Sequence, residues 1–311
     1  MSVLSELSDR LSAAYDDHAL ATLGFREDDR VDVRRAIEAA MSDTDRLSEI
    51  ERLAGRLRAG IGDFGSTADT FDDPAATSDW RGIGVLPMLA LLAVTDDVRT
   101  FHRSRGISAA VSDRSLSDLG QQAWVHRRTF GAFGLHTYGW MATAFSGNLY
   151  WLGRLQFNLV HRADGWAVST HIPESGHLTP ESVDDSFRQA VAFFAERFSD
   201  YPTRLFHCGS WLLDPQLADV LKPESNMVKF QKRWALEGEP TPADADAIFF
   251  VFRRRNGVDR STLPRETSLQ RAILDKLDTG GHWNSWDGTV EQAPFLSLRP
   301  SDAQTRYKER M

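Results

Sequence analysis

The stretch NLYWLGRLQFNLV (Asn148 to Val160) limits the fold more than any other segment. Leu149, Trp151, Leu155, Phe157 and Leu159 are apolar and alternate with Asn148, Tyr150, Arg154, Gln156 and Asn158. A period of two puts successive side chains on opposite faces of an extended chain, so the pattern predicts strand with one buried and one wet face. The turn ADG (Ala163 to Gly165) follows, and Trp166, Val168 and Thr170 begin a return strand, which makes a hairpin.

Upstream the period is helical. Leu47, Ile50, Leu53, Leu57 and Ile61 recur at spacings of three and four, the mark of one apolar helix face, and the helix before it is polar. The run Ile83 to Val94 is too short to span a bilayer and contains Pro87, so it reads as a buried helix. Between them, Gly65 to Gly82 has the small, acidic and turn-forming residues of a surface loop. After about Leu119, Gly131, Gly134, Gly139 and Gly147 punctuate aromatic-rich segments in a way no long helix tolerates, so strands are expected from there. The expected organisation is a helical N-terminal domain over residues 1–120, a second domain over 121–286 and a tail over 287–311 without readable periodicity.

His171 to Phe187 (HIPESGHLTPESVDDSF) reads as a strand end, a polar turn and the opening of a long helix. Thr179 is placed as N-cap and Pro180 as first helical residue, where proline loses no hydrogen bond. Val183, Phe187, Ala190, Val191 and Phe194 form the apolar face of that helix. Further on, Thr203 to Cys208 reads as strand, Asp214 to Leu221 as helix, Asn226 to Trp234 as a helix capped by Ser225, Ala247 to Phe252 (AIFFVF) as strand, and Leu263 to Leu277 as amphipathic helix. That order gives an α/β (α+β) class with a mixed sheet. A helix starting directly after a strand presents free N–H groups and the positive end of its dipole, which can hold phosphate without a basic side chain. Gly176 permits close approach, and Ser175, Thr179 and Ser182 add hydroxyls; the same turn also reads as an ordinary capped helix.

Several classes are excluded or disfavoured. A formal charge of -8 argues against a general nucleic-acid binder. The lone Cys208 leaves no internal disulfide and no cysteine zinc cluster. HExxH, GxSxG and P-loop patterns are absent, and the nine histidines show no metal-site spacing, so no metal is expected. The N-terminal residues lack the basic start and apolar run of a secretory signal, so a cytoplasmic location is expected. Nine tryptophans suggest carbohydrate recognition only faintly, since most sit in apolar patterns.

The words THIPESGHLTPESVDDSFRQAVAFF, LFHCGSWLLDPQLADVL, ESNMVKFQKRW, GNLYWLGRLQF and LPRETSLQRAI resemble a family of bacterial acyltransferase-like proteins. Its members pair a helical N-terminal domain with a GNAT-like C-terminal domain, and the similarity covers roughly residues 80 to 285. The resemblance implies a GNAT-like domain over 121–286, acyl-CoA as acyl donor, and direct attack of a small-molecule or peptide amine on the thioester. It places the pyrophosphate loop on Pro173, Ser175, Gly176, His177, Leu178 and Thr179, although of the usual Gln/Arg-x-x-Gly-x-Gly/Ala pattern only Gly176 is present and the basic or glutamine lead is missing. It also makes Asn226 the start of the later cofactor-side helix, with Arg233 where a tyrosine usually protonates the thiolate. Arginine cannot donate that proton at neutral pH but can stabilise a thiolate.

Acyl transfer needs a base, oxyanion donors and protonation of the thiolate. His171 and Glu174 flank the loop as candidate bases; they also read as a residue tying the turn together and a solvated carboxylate. His207 and Cys208 point to opposite faces of one strand, so they form no thiol–imidazole pair. Cys208 reads as a buried structural cysteine, and His207 as either base or satisfied core histidine. Tyr150, Arg154, Gln156, Trp211 and Asp214 read either as substrate-orienting groups or as ordinary sheet and loop positions. Arg253, Arg254 and Arg255 read as a phosphate-facing cluster or a solvated turn. A degenerate GNAT-like protein that binds acyl-CoA or a protein partner without turnover is the rival to catalysis.

Overall fold

The computed structural model describes residues 3–65, 67, 69–255 and 257–296. They fall into two compact units that meet between Trp151 and Leu152.

The first unit is helical: α1 (Val3–Ala14), α2 (Asp17–Thr22), α3 (Glu27–Met41), α4 (Thr44–Ala59), α5 (Val85–Ser104), α6 (Ala109–Leu116), α7 (Asp118–Phe130) and α8 (Tyr138–Thr143). Every residue of α5 from Val85 to Thr95 is buried. A helix apolar on all sides needs neighbours on all sides, and α1 and α4 supply two of them. Pro87 sits in the first turn of α5, where its missing N–H has no helical partner to lose. In α4, Leu47, Ile50, Leu53 and Leu57 are buried, as their spacing predicts. The strands expected after Leu119 are a correction: α7, α8 and a single π-turn (Ala144–Asn148) come first. Of the glycines there, Gly131 closes α7, Gly139 lies in the first turn of α8 and Gly147 breaks the π-turn with a positive φ.

β1 (Tyr150–Leu152) spans the division, and the second unit contains β2 (Leu155–Arg162), β3 (Gly165–His171), α9 (Pro180–Arg197), β4 (Thr203–Ser210), α10 (Leu217–Val220), α11 (Asn226–Gln231), β5 (Ala235–Pro242), α12 (Asp244–Phe252), α13 (Ser268–Asp278), β6 (Asn284–Glu291) and α14 (Ala293–Leu296). The sheet order is β1-β2-β3-β4-β6-β5. The alternating stretch is therefore two strands joined by a turn at Gly153 and Arg154, and the expected hairpin is β2–β3, in register from Gln156↔His171 to Arg162↔Gly165. β3 and β4 run parallel, with α9 as their crossover, whereas β4–β6 and β5–β6 are antiparallel. The result is the mixed sheet expected.

One face of this sheet is apolar. Phe157 on β2 and Phe206 on β4 meet Phe187 of α9, with ring centroids 6.1 and 4.4 Å from Phe187. Burying one such ring contributes roughly 2–3 kcal/mol. A second core gathers Trp283, Ile273, Leu274, Ala247 and Phe252 around α12 and α13.

Three further expectations are corrected here. Ala247 to Phe252 is not strand but the last part of α12, whose first turn carries Asp244 and Asp246 on the positive end of the dipole. A six-residue apolar run has no period that separates a buried strand from a buried helix. The helix expected from Leu263 starts at Ser268, because Thr267 and Gln270 form a capping box. The expected tail supplies residues 287–291 of β6, which lies between β4 and β5, and then α14; residues 297–311 of that tail lie outside the described residues.

Candidate functional site

β3 ends at His171, and the chain reaches α9 through residues 172–179. Thr179 caps α9, its Oγ1 accepting from the Ser182 N–H at 3.3 Å, and Pro180 follows at the first helical position, as its sequence predicts. Gly176 has φ +96, and a side chain added there would meet nothing within 4 Å, so the loop crest is open. Leu178 is buried and anchors the loop beneath.

The loop is held by an arginine from elsewhere. Arg154, in the β1–β2 turn, donates through Nε to the Gly176 carbonyl at 3.1 Å and through Nη1 to the Pro173 carbonyl at 2.8 Å and Ser175 Oγ at 3.2 Å. Its own N–H donates to Ser186 Oγ of α9 at 2.7 Å, which ties turn, loop and helix together. Among the described residues no carboxylate pairs with it; burial lowers its pKa, yet a guanidinium stays charged at neutral pH. The basic residue that the local motif lacks thus arrives beside the loop from another strand turn. Its position on the wet side of the alternation gave no sign of this, because a tertiary contact leaves no local period.

Neighbouring charges are largely committed. Arg233 pairs with Asp184 and donates to the Pro180 carbonyl at 3.2 Å, so it pins the first turns of α9. Glu174 pairs with Arg253 at 2.6 Å, which brings the start of the Arg253–Arg255 cluster to the loop. Arg255 stacks over Phe249, its guanidinium carbon 3.9 Å from the ring centroid. Arg254, Arg255 and Arg260 line a cavity of about 290 Å³ with Ile248 and Val258. Asn226 opens α11, which Ser225 caps, and α11 packs against α9.

The second group of candidates lies on the polar face of the sheet. The registers put Gln156, Asn158, His171, Ser169, His207, Thr289, Asp287 and Glu237 on one side. Arg162 on β2 and Glu237 on β5 pair at 2.6 Å although three strands separate them, so the sheet curls around this face. Pairing of β3 with β4 stops at Ser169↔His207, and beyond it the two parallel strands part. A gap at the carboxyl ends of parallel strands is where such sheets take ligands. His171 Nε2 lies 2.7 Å from Asn158 Oδ1, and His207 Nε2 lies 3.1 Å from Asp287 Oδ1. Burial, and then the neighbouring His207, hold His171 down at about 4, so it is neutral at physiological pH. Burial, and then Asp287, push the Cys208 thiol up to about 12, as befits a buried structural cysteine.

The structure brings His171 and His207 together on adjacent strands and sets the loop immediately after His171; Glu174 is turned to Arg253 and Arg233 to α9. Trp211, Tyr150 and Asp214 are packed inside: Tyr150 donates to the Gly147 carbonyl, and Asp214 accepts from Gln216 and Asn284. Asp287 was missed altogether, since it falls in what reads as a patternless tail. The arrangement offers an open loop crest ahead of a capped helix start, one guanidinium without a carboxylate partner and two imidazoles beside a strand gap. Among the described residues no group of three or more His, Cys, Asp or Glu could hold a metal. No described helix is long and apolar enough to cross a membrane.

Known proteins bear on this geometry. A family model described as N-acyltransferase N-terminal domain matches residues 16–147, and one described as GNAT-like C-terminal domain matches residues 149–290. A tryptophan-to-alanine mutant of an acyltransferase, in complex with octanoyl-CoA, is 31% identical over 88% of this chain and 86% of its own, with a TM-score of 0.80. An acyltransferase in complex with decanoyl-CoA and teicoplanin has the same identity, coverage and TM-score. The comparison with curated proteins gave no match. This chain belongs to the acyltransferase family that joins an N-acyltransferase N-terminal domain to a GNAT-like C-terminal domain.

Proposed function

We propose that the protein is an acyl-CoA-dependent N-acyltransferase in which an amine attacks the thioester directly. The observation that carries this reading is its 31% identity to acyltransferases held with octanoyl-CoA and decanoyl-CoA. Its own residues support it. Pro173, Ser175, Gly176, His177, Leu178 and Thr179 make the pyrophosphate cradle, with the open φ +96 crest at Gly176 and the dipole of α9 behind it. Arg154 lends the positive charge, and Asn226 at the head of α11 is a further contact for the cofactor. The similar structure holding teicoplanin points to an acceptor amine on a glycopeptide-like small molecule or peptide, and the acyl chains of those complexes to a medium-length donor.

In the reaction the amine nitrogen bonds to the thioester carbon and loses a proton to an imidazole of the polar face. The carbon–sulfur bond then breaks and the thiolate takes a proton. Arg233, tied to Asp184, takes no part in that last step.

Titration calorimetry with acetyl-, octanoyl- and decanoyl-CoA and free CoA tests the donor. Saturable binding that tightens with chain length is expected, each buried methylene adding up to about 0.8 kcal/mol. Lack of binding to any acyl-CoA overturns the proposal. Release of thiol that depends on an added glycopeptide amine separates turnover from the binding-only alternative.

A further inference from the structure

We propose that the cavity beside α12, with Arg254 and Arg255 as its donors, binds the 3′-phosphate of CoA; this rests on the acyl-CoA reading above and deepens it. The cavity, of about 290 Å³, lies between α12 and the chain that follows it, with Leu277 of α13 also on its wall. CoA carries one phosphate besides its pyrophosphate, on the 3′ carbon of the ribose that the pyrophosphate joins through the 5′ carbon. A protein that grips the pyrophosphate therefore meets a second phosphate one ribose away.

The charges of the cavity do not cancel. Asp244 is the carboxylate on its wall, and both of its oxygens are engaged: Oδ1 accepts from the Trp283 N–H at 2.7 Å, and Oδ2 lies 2.7 Å from His282 Nδ1. Arg260 pairs with Asp278 at 3.5 Å, and Asp278 also pairs with Arg265. Arg254 donates to the Arg253 carbonyl at 3.0 Å, and Arg255 lies over the Phe249 ring. Among the described residues neither Arg254 nor Arg255 pairs with a carboxylate, although the chain carries a formal charge of -8. Both are exposed and so within reach of a ligand. A guanidinium keeps its charge at every working pH, and two of them side by side repel until an anion comes between them.

The cavity suits the end of a nucleotide better than a bare anion. Ile248, Val258 and Leu277 give it an apolar wall on which a flat base can lie. Arg255 is already stacked 3.9 Å from the Phe249 centroid, so its fork is oriented before the ligand arrives and loses little freedom on binding. The preceding residue but one ties the cluster to the Gly176 loop. Arg253 closes α12 with φ +54, a left-handed conformation that is costly for any residue with a side chain, and its guanidinium pairs with Glu174 at 2.6 Å. Glu174 belongs to the segment between β3 and α9 that carries Gly176. The pair occupies the charge of Arg253 and leaves the next two arginines facing the cavity beside the pyrophosphate cradle.

The test is titration calorimetry of octanoyl-CoA and of its 3′-dephospho analogue against wild type, Arg254→Gln, Arg255→Gln and the double variant. Wild type is expected to bind the 3′-phosphorylated compound on the order of 10-fold more tightly, and the double variant to bind the two alike. Affinity for the dephospho analogue stays at the wild-type level in every variant, which also shows that the variants are folded. Added salt narrows the wild-type preference, because both arginines are exposed. Equal wild-type affinity for the two compounds, or variants that weaken both by the same factor, overturns the proposal. Absence of binding of either compound to wild type counts against the acyl-CoA reading instead. Adenosine 3′,5′-bisphosphate then decides the cavity: saturable binding that the double variant loses keeps the proposed site, and lack of binding overturns it.

Discussion

The Gly176 loop and the polar face of the sheet sit at the same end of β3, yet they are held in different ways. The loop is fixed through its main chain, two of the three Arg154 bonds being to carbonyls. The face is fixed by pairs of side chains, His171 with Asn158 and His207 with Asp287. A site shaped through backbone carbonyls tolerates many residues in the loop but depends on one arginine outside it. A site made of side-chain pairs tolerates little, because each partner fixes the orientation of the other. This is why the loop departs from the expected glycine pattern without losing its form.

Acid should strike the face and spare the loop. His171 is held near 4 in the folded protein against about 6.5 when unfolded, so the unfolded chain binds the proton first as pH falls. Its share of stability is intact above about 6.5 and is lost as pH drops from there towards 4, on the order of 3 kcal/mol. His102 and His126 in the helical unit, both lowered to about 4 chiefly by burial, add the same trend. Thermal melts across this range should steepen in wild type and flatten in His171→Gln; an unchanged slope removes the contrast. Arg154→Ala should weaken acyl-CoA binding by about 2 kcal/mol, since a charged group with three loop bonds is lost, and Arg154→Lys should rescue little. Calorimetry giving wild-type affinity would place the hold on the loop elsewhere. Gly176→Ala meets open space and only the left-handed backbone strain, so a loss of about 1 kcal/mol in stability is expected from denaturant melts. Glu174→Gln breaks a half-exposed ion pair and should change stability by less than about 1 kcal/mol, with turnover kept; a large drop in kcat would return Glu174 to the role of base.

Legibility in the sequence followed the range of the interactions. α4, α5, the β2–β3 hairpin and the capped start of α9 were readable because their signals, period and cap, lie within a few residues. α12 was misread as strand because Ala247 to Phe252 are good strand formers that the packing of Trp283 and α13 holds as helix. β5 was invisible because Gly238, Pro240 and Pro242 break its pattern, which an edge strand tolerates. Of the candidate site, the loop and both histidines could be named from local order. Arg154 was legible only as a polar-face residue that could orient substrate, not as the hold on the loop, and Asp287 was not legible at all, since each acts across a tertiary contact and His207 and Asp287 lie 80 residues apart in sequence.

The place of β6 has a consequence for how the molecule is made. β4 and β5 do not pair with each other; both pair with β6, which follows them in the chain. While residues 284–291 are still being synthesised, two strands wait with open edges, and loop closure over such separations is slow. Asp287 rides on that last strand, so the chain completes its sheet and its histidine pair in one late event. Nascent chains stopped before β6 should accumulate as aggregation-prone species that hold the Gly176 loop but neither the closed sheet nor the oriented imidazole.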